Sequence, residues 1–292
     1  MPDPIAGSAI RTVGIVSKPR SDSAPALIPG LRSWLKEHLI TVFLDEQSSQ
    51  YIDEPVTATR EEVCAKSDLV IVLGGDGTLL SAARASIGRD LPLFAVNLGG
   101  LGFLTAISVD ELYPQLECAL RGELKSEERL MLHCELWRNG AVVASYEGLN
   151  DMVLSKTDIA RIIDLEVNLD GNFVCVYKAD GLIVATPTGS TAYSLSAGGP
   201  IVLPTVHAFS MTPICPHTLS NRPAIVPDSS VVEILVRGEG STYLTIDGQI
   251  GELLKAGDRV FCRKSQFTTR LIRPANLQFF DVLREKLKWG GR

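Results

Sequence analysis

The chain lacks the residue patterns that mark secreted, membrane-spanning or zinc-binding proteins. Its six cysteines lie far apart without a C-x-x-C pair, and its four histidines form no H-x-x-x-H or His/Cys cluster. No apolar run approaches the ~20 residues of a membrane span, and no basic leader followed by an apolar block opens the sequence. We therefore expect reduced cysteines, mostly in the core, no structural zinc, and a cytoplasmic protein that does not contact membranes.

The sequence also has no dense stripe of lysine and arginine, and its formal net charge is −6. A sequence-independent nucleic-acid partner is therefore not expected. The basic residues near the end (Arg284, Lys286 and Lys288) are typical of the solvated face of a last helix. Hydrophobic content of 45% and charged content of 21% are ordinary for a globular protein, and 292 residues suffice for one large or two medium domains.

The pattern of the first ~125 residues predicts alternating strands and helices. Apolar runs predict strands at 12–16, 40–44, 69–73 and 91–97, with helices at 28–39, 61–66 and 79–85 between them. Ser108 and Glu111 match a capping box that would open a helix reaching Leu120. This alternation predicts an α/β domain with a Rossmann-like parallel sheet, which binds ligands at the carboxyl ends of its strands.

After Lys125 the pattern changes to strands joined by tight turns. Asn139-Gly140, Asp170-Gly171 and Asp247-Gly248 each separate two strand-like runs, which is typical of β-hairpins. The sequence thus predicts three segments: 1–125, the α/β nucleotide-binding domain; 126–274, a mostly β domain; and 275–292, a helix-like end that returns to the first domain.

The most informative motif is Gly74-Gly75-Asp76-Gly77-Thr78, placed between a buried strand and a helix whose N-cap is predicted at Thr78. Glycines at such a turn let backbone N–H groups approach a phosphate at the positive end of a helix. The Walker A motif is absent, and Leu80 stands where a dinucleotide fingerprint needs its third glycine. A carboxylate among these glycines suits either a metal or a general base, although a tight turn with a capping aspartate is an alternative.

A second cluster covers residues 180–200. It begins as a buried strand and continues as hydroxyls, small residues and glycines around Tyr193. Such a run can bind a polar ligand and stack on its ring, and a buried loop must satisfy all its polar groups. The alternative is a solvated Ser/Thr-rich loop, which has no need of a tyrosine beside a hydrophobic strand.

Taken together, these pieces resemble the NAD kinases of bacteria over nearly the whole chain. The resemblance is carried by residues 74–78, by Asn97 to Leu104, by Leu149-Asn150-Asp151, by the run from Asp180 to Pro200, by Cys215 to Ser220 and by Asp247-Gly248-Gln249. The glycine–aspartate turn alone also occurs in lipid and sugar kinases, whereas the 180–200 run is specific to this family.

The resemblance implies transfer of the γ-phosphoryl group of ATP to the 2′-hydroxyl of the adenosine ribose of NAD, which gives NADP. It implies that Asp76 is the general base, and that the phosphates lie near Gly74, Gly75, Gly77, Thr78 and Asp247. Mg²⁺ would be the divalent cofactor, held mainly by the phosphates. The protein ligands of the metal remain unknown.

The same resemblance implies the NAD-binding residues. They are Asp76, Gly77, Asn150, Asp151, Arg161, Lys178, Asp180, Thr191, Ala192, Tyr193, Ser194, Leu195, Ser196 and Gln249. Some of them would serve a neighbouring subunit, so a homodimer or homotetramer is expected. For Arg161 and Lys178 the alternative is a solvated charge on a strand, and for Asp247 a hairpin turn that needs no ligand.

Two other functions stay open on the residues alone: a lipid or sugar kinase with the same turn, and a dinucleotide-binding sensor that transfers nothing. Production of NADP from ATP and NAD separates these alternatives. The sequence does not decide between ATP and polyphosphate, between NAD and NADH, or between dimer and tetramer, and feedback by NADPH is not readable from it.

Overall fold

The structure, a computed structural model, describes residues 10–52, 58–100, 102–157, 161–238, 240–274 and 277–289. The chain divides by compactness into two units, Met1–Glu128 with Thr269–Arg292, and Arg129–Thr268. The sequence placed the boundaries at 125/126 and 274/275. Each unit is described separately below.

The first unit is built on a parallel sheet. Its elements are β1 (Thr12–Ser17), α1 (Ala24–Glu37), β2 (Thr41–Leu44), α2 (Glu46–Ser49), α3 (Arg60–Ala65), β3 (Leu69–Gly74), α4 (Asp76–Ala85), β4 (Pro92–Asn97), β5 (Ile107–Ser108), α5 (Leu112–Leu120), the start of β6 (Lys125–Arg138), the end of β17 (Arg259–Arg273) and α7 (Phe279–Leu287). The strand order is β2-β1-β3-β4, and the end of β17 joins β4 with Arg270 opposite Pro92. All of these pairs are parallel, as the predicted α/β class requires.

The apolar pattern explains why this sheet forms. All six residues of β3 are buried, which is typical of a parallel strand covered on both faces. Helix α1 buries Ala24, Ile28, Leu31 and Leu35, whose spacing of three to four residues marks one helix face. These side chains share one hydrophobic cluster with residues of β1, β3, β4 and α5.

The strand order places the glycine–aspartate turn where ligands bind in such sheets. Strand β1 lies between β2 and β3, so the chain reverses its direction of strand addition between β1 and β3. Parallel sheets leave a crevice at the carboxyl ends of the strands beside such a reversal. Gly74 is the last residue of β3 and therefore lies at this edge.

The second unit is made of two antiparallel sheets. Its elements are the remainder of β6, β7 (Ala141–Gly148), β8 (Asp151–Lys156), β9 (Ile163–Leu169), β10 (Asn172–Ala179), β11 (Gly181–Ala185), a 3-10 turn (Gly189–Thr191), α6 (Tyr193–Ser196), β12 (Ala208–Ile214), β13 (Ala224–Pro227), β14 (Val232–Arg237), β15 (Thr242–Ile246), β16 (Ile250–Leu254) and the first part of β17. One sheet contains β10-β9-β14-β17 with β6 and β7, and the other has the order β13-β12-β11-β8-β15-β16. Buried residues of both sheets form one cluster, so the unit is a β-sandwich in packing.

All three predicted hairpins are present: β6–β7, β9–β10 and β15–β16. Their turns place both Asn139 and Gly140, Asp170 and Gly171, or Asp247 and Gly248 at positive φ, between 51° and 78°. Asn, Asp and Gly tolerate this left-handed region, which explains why these dipeptides mark the turns.

Some details of the fold differ from the sequence predictions. Helix α5 begins at Leu112 with Glu111 as its N-cap residue, and the Ser108–Glu111 pair, predicted to open the helix, lies in the turn before it. Helix α2 was not predicted. Among the cysteines, Cys215 is exposed, whereas Cys64, Cys134 and Cys262 are buried; all six are free thiols.

Within the ranges that the structure describes, no helix combines the length and apolar character needed to cross a bilayer.

Candidate active site

The glycine–aspartate turn joins β3 directly to helix α4. Gly75 is the N-cap, with an extended backbone at φ −103° and ψ −171°, and its carbonyl accepts hydrogen bonds from the N–H groups of Thr78 (3.0 Å) and Leu79 (3.2 Å). The prediction of an N-cap at Thr78 is therefore wrong: the helix begins at Asp76. The first helical N–H groups belong to Asp76 and Gly77, where the helix dipole favours an anion.

The glycines of this turn differ in what surrounds them. A Cβ on Gly74 would lie 2.4 Å from Thr78 Oγ1, so this glycine makes room for the buried Thr78 side chain. A Cβ on Gly75 would meet nothing within 4 Å. Gly75 therefore has free space beside its backbone and Gly77 is exposed, whereas Gly74 and Thr78 support the turn from inside.

The Asp76 carboxylate is held by the loop that follows β4. Its Oδ2 accepts a hydrogen bond from the Phe103 N–H at 2.9 Å. Its Oδ1 accepts three, from the N–H groups of Leu104 (3.1 Å) and Thr105 (3.0 Å) and from Thr105 Oγ1 (3.1 Å). Four donors therefore fix the position and rotation of this carboxylate before any substrate binds.

The loop approaches Asp76 closely because residue 102 is a glycine. A Cβ at Gly102 would lie 2.2 Å from both Asp76 Oδ1 and Thr105 Oγ1. Asn97, the last residue of β4, donates from Nδ2 to Thr105 Oγ1 at 2.7 Å. The sequence pattern placed Asn97 and Gly102 in a family motif but gave neither a role, and it did not single out Thr105. The one signal for this arrangement was an amide and a hydroxyl on either side of a glycine-rich loop.

In the second unit, the Asp247 carboxylate fastens the segment 149–151. It accepts hydrogen bonds from the N–H groups of Leu149 (3.0 Å), Asn150 (2.7 Å) and Asp151 (3.1 Å), and its own N–H donates to the Asp151 carbonyl (2.9 Å). Asp247 thus supports the two residues predicted to bind NAD hydroxyls. Its predicted contact with ATP is not tested by these contacts.

Asn150 and Asp151 are both buried polar residues with unused capacity. Asn150 Oδ1 is buried and has no hydrogen-bond partner in the structure, which is costly unless a ligand supplies a donor. Burial, followed by the nearby charge of Asp247, raises the pKa of Asp151 to about 7. Perturbed carboxyls and unsatisfied amides are typical of binding sites.

The hydroxyl-rich run is tied to the same segment. The Thr186 N–H donates to the Asn150 carbonyl at 2.9 Å, and Thr186 Oγ1 donates to the Leu149 carbonyl at 2.6 Å. A Cβ on Gly189 would lie 2.0 Å from the Asn150 carbonyl oxygen, so only glycine permits this contact. The structure therefore brings residues 149–151, 186–191 and 247 together within one unit.

The predicted NAD-binding residues of this run point in different directions. Tyr193 and Ser196 are exposed, and Ala192 and Leu195 are half-buried. Thr191 is buried, and its hydroxyl donates to the Thr188 carbonyl at 3.2 Å. Ser194 is fully buried, and its hydroxyl bonds with Thr212 Oγ1 at 3.0 Å inside the unit, so this side chain supports the turn from the core.

The remaining predicted residues are Arg161, Lys178, Asp180 and Gln249, and only Gln249 shares an element with the site, the turn that carries Asp247. Arg161 precedes β9 and is exposed. Lys178, on β10, is also exposed, and its Nζ lies 3.9 Å from Asp164 Oδ2. Asp180 forms an ion pair with Lys156 at 2.6 Å. Gln249 is exposed at the end of the β15–β16 turn. None of their contacts identifies a ligand.

Comparison with known families decides the identity. The model of the ATP-NAD kinase N-terminal domain matches residues 13–124, and that of the ATP-NAD kinase C-terminal domain matches residues 149–274.

The chain belongs to the NAD kinase family.

Known NAD kinases match this chain over nearly its whole length. The NAD kinase of Solibacter usitatus is 57% identical over 284 residues, covering 97% of this chain and 99% of the relative. That of Koribacter versatilis is 48% identical over 285 residues, covering 97% and 100%. The predicted family is therefore confirmed, and the chain is an enzyme that transfers phosphate to NAD.

Two solved structures share the fold of the kinase. Yeast NADH kinase complexed with NADH superposes with a TM-score of 0.89 at 28% identity, covering 98% of this chain and 89% of that one. An NAD kinase from Archaeoglobus fulgidus in complex with ATP gives 0.76 at 26% identity, covering 95% and 98%. The predicted fold class, an α/β domain followed by a mostly β domain, is confirmed.

The donor set available to a metal is sparse in the kinase. Within the described part of the chain, no group of three or more His, Cys, Asp or Glu side chains could hold a metal ion. Mg²⁺ commonly keeps several waters and binds through one or two carboxylates together with substrate phosphates. The residues present fit a metal of that kind.

Proposed function

We propose that this NAD kinase transfers the γ-phosphoryl group of ATP to the 2′-hydroxyl of the adenosine ribose of NAD, with Asp76 as the general base. The observation that carries the proposal is the Asp76 carboxylate itself. It stands at the first residue of α4, at the positive end of the helix dipole, and four hydrogen bonds fix it. A phosphate and a hydroxyl can therefore meet beside a rigid carboxylate.

The proton transfer follows from the acceptor capacity of the carboxylate. Oδ2 accepts only one of the four hydrogen bonds, so it can receive the 2′-hydroxyl proton. As the ribose oxygen forms its bond to the γ-phosphorus, the bond from that phosphorus to the leaving ADP oxygen breaks, and the hydroxyl proton passes to Asp76. Phosphoryl transfer has a loose transition state, so the orientation of the hydroxyl matters more than the strength of the base.

The phosphates bind at the start of α4 in this proposal. Gly75 and the exposed Gly77 carry no side chain, so a phosphate could approach their backbone, while Gly74 and Thr78 hold the turn that carries them. Mg²⁺, the proposed cofactor, would be held mainly by phosphate oxygens. When bound, the metal neutralises charge on the phosphates.

The second unit binds NAD. Asn150 Oδ1, which has no partner in the structure, would accept a hydrogen bond from a ribose hydroxyl. Asp151 would form a hydrogen bond with a second hydroxyl. The exposed Tyr193 ring would stack on a base, with Thr191, Ala192, Leu195 and Ser196 beside it and Ser194 as internal support. Asp180, Gln249 and the exposed cations Arg161 and Lys178 would contribute at the edges.

A homodimer or homotetramer belongs to the same proposal. It is supported by exposed apolar residues on β10, where Phe173 and Val174 are 64% and 44% exposed. Arg161 and Lys178 could then serve the site of a neighbouring subunit. A cytoplasmic location is supported by the six free thiols.

The deciding experiment measures NADP formation by the purified protein with ATP, Mg²⁺ and NAD. Asp76→Asn should lower kcat by at least ~100-fold while NAD still binds, because general-base catalysis contributes roughly 10²–10⁴. Asp90→Asn is the matched control, since Asp90 is an exposed carboxylate elsewhere in the same unit, paired with Arg270. Activity that survives Asp76→Asn would remove the role assigned to Asp76.

Parallel reactions settle the substrate. Polyphosphate replaces ATP and NADH replaces NAD in a two-by-two design, with kcat/KM as the readout. Turnover of a lipid or a hexose phosphate without NADP would indicate a different kinase, and NAD binding without any turnover would indicate a sensor.

A further inference from the structure

One hydrogen-bond chain in the first unit runs from the backbone to the catalytic carboxylate, and its direction is fixed at every step. The Gly99 N–H donates to Asn97 Oδ1 at 2.7 Å, so the Asn97 amide must turn its nitrogen towards Thr105. That nitrogen donates to Thr105 Oγ1 at 2.7 Å. The oxygen of Thr105 is therefore an acceptor for Asn97, and its only proton is left for Asp76 Oδ1 at 3.1 Å.

This chain makes the two oxygens of Asp76 unequal. Oδ1 accepts three donors, the N–H groups of Leu104 and Thr105 and the Thr105 hydroxyl. A carboxylate oxygen offers about two lone pairs, so Oδ1 has no acceptor capacity left. Oδ2 accepts only the Phe103 N–H and keeps a free acceptor site.

We infer that Thr105, itself oriented by Asn97, is a positioning residue: its hydroxyl gives Asp76 Oδ1 a third donor, fixes the rotation of the carboxylate, and so keeps Oδ2 as the atom that receives the ribose proton. Thr105 is fully buried and touches no solvent, so it acts only through Asp76. Gly102 is part of the same arrangement, because a side chain there would occupy the space where Asp76 Oδ1 and Thr105 Oγ1 meet. The inference rests on the proposed role of Asp76 as the base.

The physical effect is on orientation. With the Thr105 hydroxyl in place, rotation of the carboxylate about its Cβ–Cγ bond would break hydrogen bonds from up to four donors. Without it, Oδ1 keeps only the N–H donors of Leu104 and Thr105, so three donors hold the carboxylate in place of four and it rotates more easily. A carboxylate that rotates presents Oδ2 less precisely to the ribose hydroxyl, so we expect the loss in kcat and not in the binding of either substrate.

The test compares Thr105→Val with Thr105→Ser by steady-state kinetics. Valine keeps the shape and removes the hydroxyl, and we expect kcat to fall roughly 10- to 100-fold, as for loss of one hydrogen bond to a charged group. KM for ATP and NAD should change less than about threefold. Serine restores the hydroxyl and should recover most of kcat. Equal losses in both variants, or a rise in KM at constant kcat, would overturn the inference.

Asn97→Ala gives a second, independent test. Asn97 acts through Thr105, so Asn97→Ala should lower kcat in the wild type and have no further effect in Thr105→Val. Should Thr105→Val fail to fold, as judged by its thermal unfolding, Asn97→Ala alone decides: an unchanged kcat contradicts the inference. A large loss of kcat in Asp76→Asn with no loss in Thr105→Val would refute this inference alone. Activity that survives Asp76→Asn would instead refute the role of Asp76 as the general base.

Discussion

Asp151 should make the second unit less stable as pH rises towards neutrality, and Asp151→Asn should remove this effect. Its carboxyl is buried beside the Asp247 carboxylate, and the pKa of Asp151 is raised to about 7 by burial and then by that charge. The asparagine side chain has the same shape and carries no charge at any pH. Replacement therefore removes the titration while preserving the packing.

The sign follows from comparing the folded and unfolded chains. An unfolded aspartate loses its proton near pH 3.8, whereas folded Asp151 keeps it until about pH 7. Between these values ionisation favours the unfolded chain, so wild-type stability falls as pH rises and levels off above the folded pKa. The difference of roughly 3 pH units corresponds to about 4 kcal/mol at 1.36 kcal/mol per unit.

The assay is urea unfolding of wild type and Asp151→Asn between pH 4.5 and 8.5. Trp137 lies in the second unit, so Trp34→Phe and Trp289→Phe in both proteins make its fluorescence specific to that unit. We expect the stability of the variant relative to wild type to increase by about 2 to 4 kcal/mol from pH 4.5 to pH 8.

Asp258→Asn is the control, because the pKa of Asp258 is shifted in the opposite direction from that of Asp151. Burial disfavours the charge of Asp258, but hydrogen bonds from Arg138 and from the Lys255 N–H outweigh it and lower the pKa of Asp258. Its contribution to stability is complete above the unfolded pKa, so the cost of Asp258→Asn should be constant between pH 5.5 and 8.5. If the stability of Asp151→Asn relative to wild type stays constant or falls as pH rises, the reasoning about the buried carboxyls of Asp151 and Asp247 is refuted.

Two further predictions concern groups that fit tightly. Gly102→Ala should lower kcat by about 100-fold, because the alanine Cβ would lie 2.2 Å from Asp76 Oδ1 and would displace it. The control Gly100→Ala, whose Cβ meets nothing within 4 Å, should lower kcat far less, and equal kcat values in the two variants would contradict this prediction. Ser194→Ala should lower the free energy of unfolding by about 1–2 kcal/mol by leaving Thr212 and Ser210 without a partner. Its KM for NAD should rise less than that of Tyr193→Ala, and a larger rise would show that the Ser194 hydroxyl contacts NAD.

Local chemistry made the hairpins predictable. Asn139-Gly140 and Asp170-Gly171 specify a turn by their own backbone preferences, and the alternating runs beside them specify the strands. The buried strand ending at Gly74 was equally clear, because an apolar run followed by glycines has few other interpretations. The N-cap was misplaced at Thr78 because Gly75 caps the helix with backbone geometry alone, which leaves no side-chain signal.

The contacts around Asp76 depend on tertiary structure and were not predictable in detail. Thr105 is 29 positions from Asp76 in sequence, and the two meet only because β3 and β4 are neighbours in the sheet. The hydroxyl-rich run shows the same limit: sequence cannot tell that Ser194 faces the core while Ser196 faces solvent. Periodicity finds elements, whereas their assembly decides which polar group points where.

Asp247 satisfies two independent demands with one side chain. The hairpin turn needs a residue that accepts φ of +52°, and the segment 149–151 needs two acceptor oxygens for three N–H groups. Glycine meets only the first demand and glutamate only the second, while asparagine offers a single oxygen. Closing the β15–β16 hairpin and ordering the segment that carries Asn150 are therefore one event, so the order of this segment depends on the geometry of a turn.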